Sequence, residues 1–183
     1  MLSVIIFLIK EMLEIYKDLS NYPRHPSMRG EMGFELYKTL RDKPEVFLLT
    51  GDLGYKLLDP HIDNFPSRAF SVGASELSMM GMAAGLAQEG KKVFTYTISS
   101  FYMRAAEPIA LYIAREQLPV VMLGSGRDRD YAHDGPSHDA ITTQEYMAML
   151  GIKSYYPETK EEIGDLMQGL LKLNEPAFVS LNR

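Results

Sequence analysis

The 183-residue chain contains no cysteine. Disulfide bonds, thiolate zinc sites and a cysteine nucleophile are therefore excluded, and an intracellular, cytoplasmic location is the expectation that fits. Positive charge is also scarce, since 19 Lys and Arg face 24 Asp and Glu and the formal net charge is −5. No basic stripe with interleaved aromatic residues offsets this balance, which argues against nucleic-acid binding.

Long hydrophobic runs are missing as well. The apolar stretch over residues 2–9 is stopped by Lys10 and Glu11, far short of the ~20 residues that cross a bilayer. Neither the basic region nor the cleavage site of a signal peptide accompanies it. We expect residues 1–22 to form an amphipathic helix and lead-in, with Met12 as an alternative start, and we expect no membrane partner.

Phosphate-cradling loops of the Walker or dinucleotide type are absent too. The glycines at 124 and 126 lack a third glycine and open no helix, so they do not form such a loop. Gly51-Asp52-Leu53-Gly54 follows an apolar run and predicts a turn in which Asp52 caps or bonds the local backbone.

What the chain has is an alternation of apolar runs and helical patterns. The runs are apolar on both faces, which is typical of parallel strands covered by helices on each side. The pattern predicts one α/β domain over residues 23–183, with an open, mostly parallel six-stranded sheet and helices on both faces. The predicted strands are 46–50, 69–72, 93–97, 119–123, 152–156 and 177–181, and the predicted helices are 29–40, 75–88, 101–116, 140–150 and 159–171.

Ligands of such sheets bind beyond the carboxyl ends of the strands. One of these ends leads to Glu76, where an apolar strand gives way to a helix built largely from Met, Ala and Gly. The free N–H groups of the helix start would satisfy this carboxylate without any catalysis. Alternatively, the carboxyl group is kept dry so that it shares a proton with a bound ligand.

The segment 133–139 clusters imidazoles and carboxylates on another strand exit. A metal site is one reading, although this bunching matches no specific ligand spacing. A plain turn with a helix cap at Ser137 or Asp139 is the second. The third is a polar wall for a hydroxylated or anionic substrate, where Asp134 accepts from hydroxyls and His138 donates to, or exchanges protons with, a carbonyl oxygen.

The exit of the third predicted strand carries an aromatic residue and a cation. Phe101 is either a core residue or a face offered to a heteroaromatic ring. Arg104 is either a surface residue or an anion contact.

Three of these segments together resemble the pyrimidine-binding (Pyr) domain of the transketolase superfamily of thiamine diphosphate enzymes. Gly73-Ala-Ser-Glu76 followed by Met82-Ala-Ala-Gly-Leu-Ala87 resembles the family's "G-x-x-E…AAGLA" segment. Thr97-Ile-Ser-Ser-Phe101-Tyr-Met-Arg104-Ala resembles "S-T-F-L-Q-R-A" of deoxyxylulose-phosphate synthases, and Asp134-Gly-Pro-Ser-His138 resembles "D-G-P-T-H". The resemblance implies the thiamine-diphosphate-binding fold of these domains.

The resemblance also implies roles for individual residues. Glu76 would bond the ring nitrogen N1′ of the cofactor's aminopyrimidine, which requires that its carboxyl hold or share a proton. Phe101 would stack on the same ring, and Ile98, Arg104 and Asp52 are the further cofactor-binding candidates. Ile98 and Arg104 stand where transketolases carry an aromatic residue and a tyrosine, and these departures bear on the substrate class rather than on the cofactor.

For the substrate, the resemblance places Asp134 and His138 facing the sugar, with His138 also a catalytic candidate. Arg183 falls where the family binds the sugar-phosphate end, although a frayed terminal residue is an alternative.

The family's magnesium motif, "G-D-G…N", is broken at Gly51-Asp52-Leu53. We therefore expect no metal site in this chain and a separate diphosphate-binding subunit that holds Mg²⁺, in a heterodimer or heterotetramer. The chain resembles a split transketolase subunit without the family's third domain. The expected reaction is transfer of a two-carbon ketol unit between carbonyl compounds. The alternatives are a 2-oxoacid decarboxylase or carboligase subunit, and a non-catalytic dimerisation or regulatory module.

Overall fold

A computed structural model describes residues 19–182; residues 1–18 and Arg183, with most of the predicted N-terminal helix, lie outside the described part. Six parallel strands form one sheet in the order β2-β1-β3-β4-β6-β5. This confirms the predicted α/β fold. The strands are β1 Val46–Thr50, β2 Ala69–Ser71, β3 Lys92–Ile98, β4 Val120–Ser125, β5 Lys153–Tyr155 and β6 Ala177–Leu181.

Helices cover both faces of the sheet. Five of them are α1 Met28–Asp42, α2 Asp59–Asn64, α3 Glu76–Gln88, α5 Ile141–Met149 and α6 Ile163–Lys172. A further helical segment, α4, spans residues 99–114 and has three windings in succession: a 3₁₀ helix over Ser99–Ala105, one α-helical turn over Ala106–Pro108 and a π-helix over Ile109–Ala114. Short 3₁₀ helices cover Leu19–Asn21, Ala132–Asp134, Pro136–His138 and Lys160–Glu162.

Alternation of side chains along each strand sorts the core into two layers. Leu48 of β1 packs with α1 and α6 on one face, in a cluster that includes Leu36 and Met167. Its neighbour Leu49 packs with α3, α4 and α5 on the other face, in a cluster that includes Met79 and Ile109. Both layers are buried, which explains why the strand sequences are apolar on both sides.

The largest departure from the sequence prediction is α2, which lies within a stretch predicted as loop. Its sequence, Asp59-Pro-His-Ile-Asp-Asn64, is six residues long and shows no apolar periodicity. It is held by His61, which is fully buried and donates a hydrogen bond from Nε2 to the carbonyl oxygen of Gly33 at 2.8 Å. Burial lowers the pKa of His61 to about 4.

The front of α4 is wound tightly for a local reason. Pro108 has no N–H to give to the carbonyl of Arg104, and its ring would collide with that carbonyl in a regular α-helix. The segment Ser99–Ala105, just before this turn, is therefore a 3₁₀ helix rather than an α-helix. Residues three apart are eclipsed in this winding, so Phe101 and Arg104 lie on the same side of the helix.

Between residues 19 and 182, every helix is too short or too polar to span a bilayer.

Candidate active site

Glu76 is the first residue of α3 and is only 3% exposed. Thr97, in β3, donates from Oγ1 to its Oε1 at 3.3 Å. Arg104 donates from Nη1 to both carboxylate oxygens, at 3.2 and 3.1 Å. Two side chains from β3 and α4 therefore satisfy the carboxylate, rather than the N–H groups of its own helix. Of the two readings from the sequence, the helix-start contact is not what the structure contains.

The strand order explains how Glu76 and Thr97 meet. Glu76 follows β2, Thr97 belongs to β3, and β1 lies between these two strands. The first residue beyond β1 is Gly51, where an added Cβ would lie 3.2 Å from Thr97 Oγ1 and 3.7 Å from Glu76 Oε1. Glycine at this exit keeps the space beside the carboxylate open.

Arg104 also covers the half-buried ring of Phe101. Its guanidinium carbon lies 3.5 Å from the ring centroid, which is a close cation–π contact. The side chain is nevertheless 49% exposed, so Arg104 is both a surface residue and an anion contact, the two readings given by the sequence. The His138 ring approaches Phe101 edge-on, with the ring centroids 5.0 Å apart.

The loop 126–139 thus reaches the site through His138. The His138 ring is half-buried. The preceding residue, Ser137, ties the loop to α4, because its carbonyl accepts a 2.8 Å hydrogen bond from the hydroxyl of Ser100. Asp134 is exposed and pairs with Nε2 of His133 at 3.2 Å. Asp139 accepts from the N–H of Ile141 at 3.0 Å, but the N-cap of α5 is Ala140, which has no side-chain cap hydrogen bond, so the predicted cap at Ser137 or Asp139 is wrong. No cluster of metal-ligating side chains occurs in the described part of the chain.

Two other predicted site residues stand at neighbouring strand exits. Ile98 is half-buried at the end of β3, and Asp52 is exposed just after Gly51. The predicted local cap by Asp52 is wrong, because Thr50 makes the contact that closes this turn, donating from Oγ1 to the carbonyl of Leu53 at 2.9 Å. Direct contacts therefore join Glu76, Arg104, Phe101 and His138, while Arg183 lies outside the described residues.

A cavity of about 880 Å³ adjoins the site and shares Gly51 with it. One wall is basic and is formed by Arg24, His25 and Arg29, just before and at the start of α1. Arg29 donates from Nη1 to Tyr131 Oη at 2.8 Å, and its buried Nε has no hydrogen-bond partner within the described part of the chain. Sequence reasoning missed this wall, although three basic residues within six positions around the start of a helix were a usable signal.

Comparison with known proteins confirms the family resemblance that the three sequence segments indicate. The family described as "Transketolase, pyrimidine binding domain" matches residues 24–183. The chain belongs to this family. Among curated relatives, the 1-deoxy-D-xylulose-5-phosphate synthase of Methylacidiphilum infernorum (isolate V4) is 32% identical over 111 residues, which are 60% of this chain and 18% of that protein.

A second relative is a subunit by its own description. The 6-deoxy-6-sulfo-D-fructose transketolase subunit SqwH of Clostridium sp. (strain MSTE9) is 30% identical over 120 residues, 64% of this chain and 37% of that protein. Among solved structures, "Split gene transketolase, inactive beta4 tetramer" has a TM-score of 0.75 at 26% identity and covers 86% of this chain and 51% of that one. Transketolase from Campylobacter jejuni, at 18% identity and a TM-score of 0.75, shares the fold; the match covers 94% of this chain and 29% of that one.

The matches span about a fifth to two fifths of these curated relatives and half of the split-gene chain. The relatives are enzymes of the transketolase and deoxyxylulose-phosphate synthase type, and family membership implies thiamine diphosphate as the cofactor.

Proposed function

We propose that this chain is the Pyr-domain subunit of a two-chain, thiamine diphosphate-dependent transketolase-like enzyme. The enzyme transfers a two-carbon ketol unit between sugar or sugar-phosphate carbonyl compounds, and residues 23–183 form its single Pyr domain. The observation that carries the proposal is the buried carboxylate of Glu76, which lies beside an aromatic face at the carboxyl ends of the strands. A relative described as a transketolase subunit and another from a split gene support the two-chain arrangement.

The residues at this site fit one half of the cofactor. An aminopyrimidine needs a carboxyl group for its ring nitrogen and a flat face for stacking, and Glu76 and Phe101 supply these. Gly51 leaves open the space that a side chain would fill beside the carboxylate. Ile98, Arg104 and Asp52 remain candidate contacts around the ring.

No cluster of metal-ligating groups occurs among residues 19–182. The proposal assigns the Mg²⁺ and the charged tail to a diphosphate-binding partner subunit, in keeping with the relatives described as a transketolase subunit and as a split-gene transketolase. When bound, thiamine diphosphate supplies the nucleophilic carbon and the electron sink for breaking and forming the carbon–carbon bond.

The residues of this chain then have distinct tasks. Glu76 holds the proton that it shares with the ring nitrogen, and the Thr97 hydroxyl fixes the orientation of its carboxyl group. His138, against the edge of Phe101, exchanges a proton with a substrate oxygen, while Asp134 accepts from substrate hydroxyls. The basic wall at Arg29 suits the anionic end of a substrate, a task that Arg183 would share.

The decisive experiment is Glu76→Gln in the complex reconstituted from this chain and the diphosphate-binding subunit. Loss of a group that must hold a proton is expected to lower kcat by about 10²-fold or more, while the complex still assembles. Glu35→Gln is the matched control, because Glu35 is also a buried, cation-paired glutamate but lies on α1, on the opposite face of the sheet. Near-normal turnover by Glu76→Gln would remove Glu76 from the mechanism and refute the proposal.

The same complex separates the alternatives. Ketol transfer predicts turnover with ketose donors and no gas release, whereas a decarboxylase or carboligase releases carbon dioxide from pyruvate-type acids. Both classes of donor are assayed because some relatives are described as 1-deoxy-D-xylulose-5-phosphate synthases rather than as transketolases. A complex that turns over neither class of donor would favour the non-catalytic module. The single chain is expected to be inactive by itself, and turnover without the partner would contradict the two-chain arrangement.

A further inference from the structure

Arg104 contacts the same two side chains, Glu76 and Phe101, that the proposed function gives to the aminopyrimidine ring. Its guanidinium is planar, carries N–H donors at its edge and stacks by its face on aromatic rings. An aminopyrimidine presents the same combination of a flat face and a nitrogen edge. In this structure the guanidinium bonds both oxygens of Glu76 and lies 3.5 Å from the centroid of Phe101, so one group already makes both contacts.

We propose that Arg104 is an internal plug of the pyrimidine site, which occupies Glu76 and Phe101 in the free chain and must swing out before the cofactor ring enters. The inference rests on the proposed function and changes the role of Arg104 from a cofactor contact to a competitor of the cofactor.

The way Arg104 is held fits a group that leaves. Only Nη1 of its guanidinium has hydrogen-bond partners between residues 19 and 182, and half of the side chain is exposed. Arg127, by comparison, is an arginine whose guanidinium is buried and held by several hydrogen bonds. Its side chain is 10% exposed and its two terminal nitrogens bond Glu158 and the carbonyls of Pro157 and Ser180 at 2.7 to 2.9 Å. Arg127 is fixed, whereas Arg104 can rotate into water without breaking any backbone contact.

Removal of the plug has a direct consequence for Glu76. Once the guanidinium has left, the Thr97 hydroxyl is the one partner of this carboxylate among residues 19–182, and a buried carboxylate with one neutral partner is costly. The cost is recovered when the ring nitrogen takes the vacated position together with one proton from solvent, which the nitrogen and the carboxyl group then share. Exchange of Arg104 for the ring therefore covers the carboxylate and the face of Phe101 in both end states, the free chain and the chain with the ring bound.

The test uses the full chain alone and the free fragment 4-amino-5-hydroxymethyl-2-methylpyrimidine, so that the diphosphate and the partner subunit play no part. Arg104→Met is expected to bind the fragment about tenfold more tightly than the wild type in calorimetric titration, because a half-exposed ion pair and a cation–π contact no longer compete. Arg115→Met is the matched control, since Arg115 is an exposed arginine just beyond α4. The affinity of this variant for the fragment should equal that of the wild type. Unchanged, weaker or absent binding by Arg104→Met would overturn the plug.

A second measurement needs no substitution and so does not depend on the folding of a variant. Phenylglyoxal modifies accessible guanidinium groups, and mass spectrometry locates the modified residue. Saturating fragment should accelerate modification of Arg104 and leave that of Arg115 unchanged; protection of Arg104, or no change at saturation, would contradict displacement.

The plug and the proposed function can fail independently of each other. If Glu76→Gln abolishes fragment binding and turnover while Arg104→Met gains nothing, only the plug is lost, and if Glu76→Gln has no effect on either, the proposed function is lost.

Discussion

Gly124→Ala is expected to destabilise the chain strongly, because the new methyl group has no room. Gly124 lies in β4, near the middle of the sheet, and an added Cβ would lie 2.9 and 3.0 Å from Cε2 and Cζ of Phe178, a fully buried ring. It would also collide with the hydroxyl of Ser99, which donates to the carbonyl of Gly126 at 2.5 Å. Overpacking of this kind costs about 1–3 kcal/mol, and loss of the Ser99 hydrogen bond adds about 1 kcal/mol.

We therefore expect the free energy of unfolding to fall by about 2–4 kcal/mol and Tm by about 4–16 °C for a chain of this size. Urea denaturation followed by circular dichroism and a calorimetric scan measure the two quantities. Gly169→Ala is the matched control in α6, where the Cβ would meet nothing within 4 Å, and there the same substitution should raise stability by about 0.5–1 kcal/mol. Equal effects at the two glycines, or a Gly124→Ala chain as stable as the wild type, would refute the packing argument.

Two further predictions concern buried and basic groups. His61 has its pKa lowered to about 4 by burial, so between pH 6.5 and 4 the unfolded chain binds a proton that the folded chain does not. Stability should therefore fall by about 2 kcal/mol from pH 7 to pH 5, and His61→Gln should flatten that slope in urea titrations; an unchanged slope would mean that another group titrates. In the reconstituted complex, Arg29→Gln should raise KM about 10-fold or more for donors with an anionic end and leave neutral donors nearly unaffected, which steady-state kinetics with a matched donor pair measures. An equal change for both donors would exclude an anion contact at Arg29.

The sheet was predictable because its signal is local. β1 and β6 have the predicted bounds, since each is a run of apolar residues between turn signals and is buried on both sides. α2 was not predictable in the same way. One buried imidazole bonded to a carbonyl of α1 holds it, and that contact spans 28 residues of sequence.

In the candidate site, too, features set by adjacent residues could be predicted, whereas contacts between residues distant in sequence could not. The place of Glu76 at a strand-to-helix junction could be predicted from adjacent residues. The bond of Glu76 to Arg104 could not, because it joins residues 28 apart and depends on the 3₁₀ winding after β3. Gly51 could be assigned to a turn, but its function as the gap between the exits of β2 and β3 appears only from the strand order.

The tight winding at the front of α4 makes the Phe101–Arg104 contact intolerant of any change in spacing. On a regular α-helix, positions three and four residues away are both neighbours, so a cation could be shifted by one residue and still reach the ring. A 3₁₀ helix advances about 120° per residue, and a guanidinium moved by one position would point to a different side of the helix. Insertion or deletion of a single residue between them would therefore separate the two side chains, even if the helix itself survived.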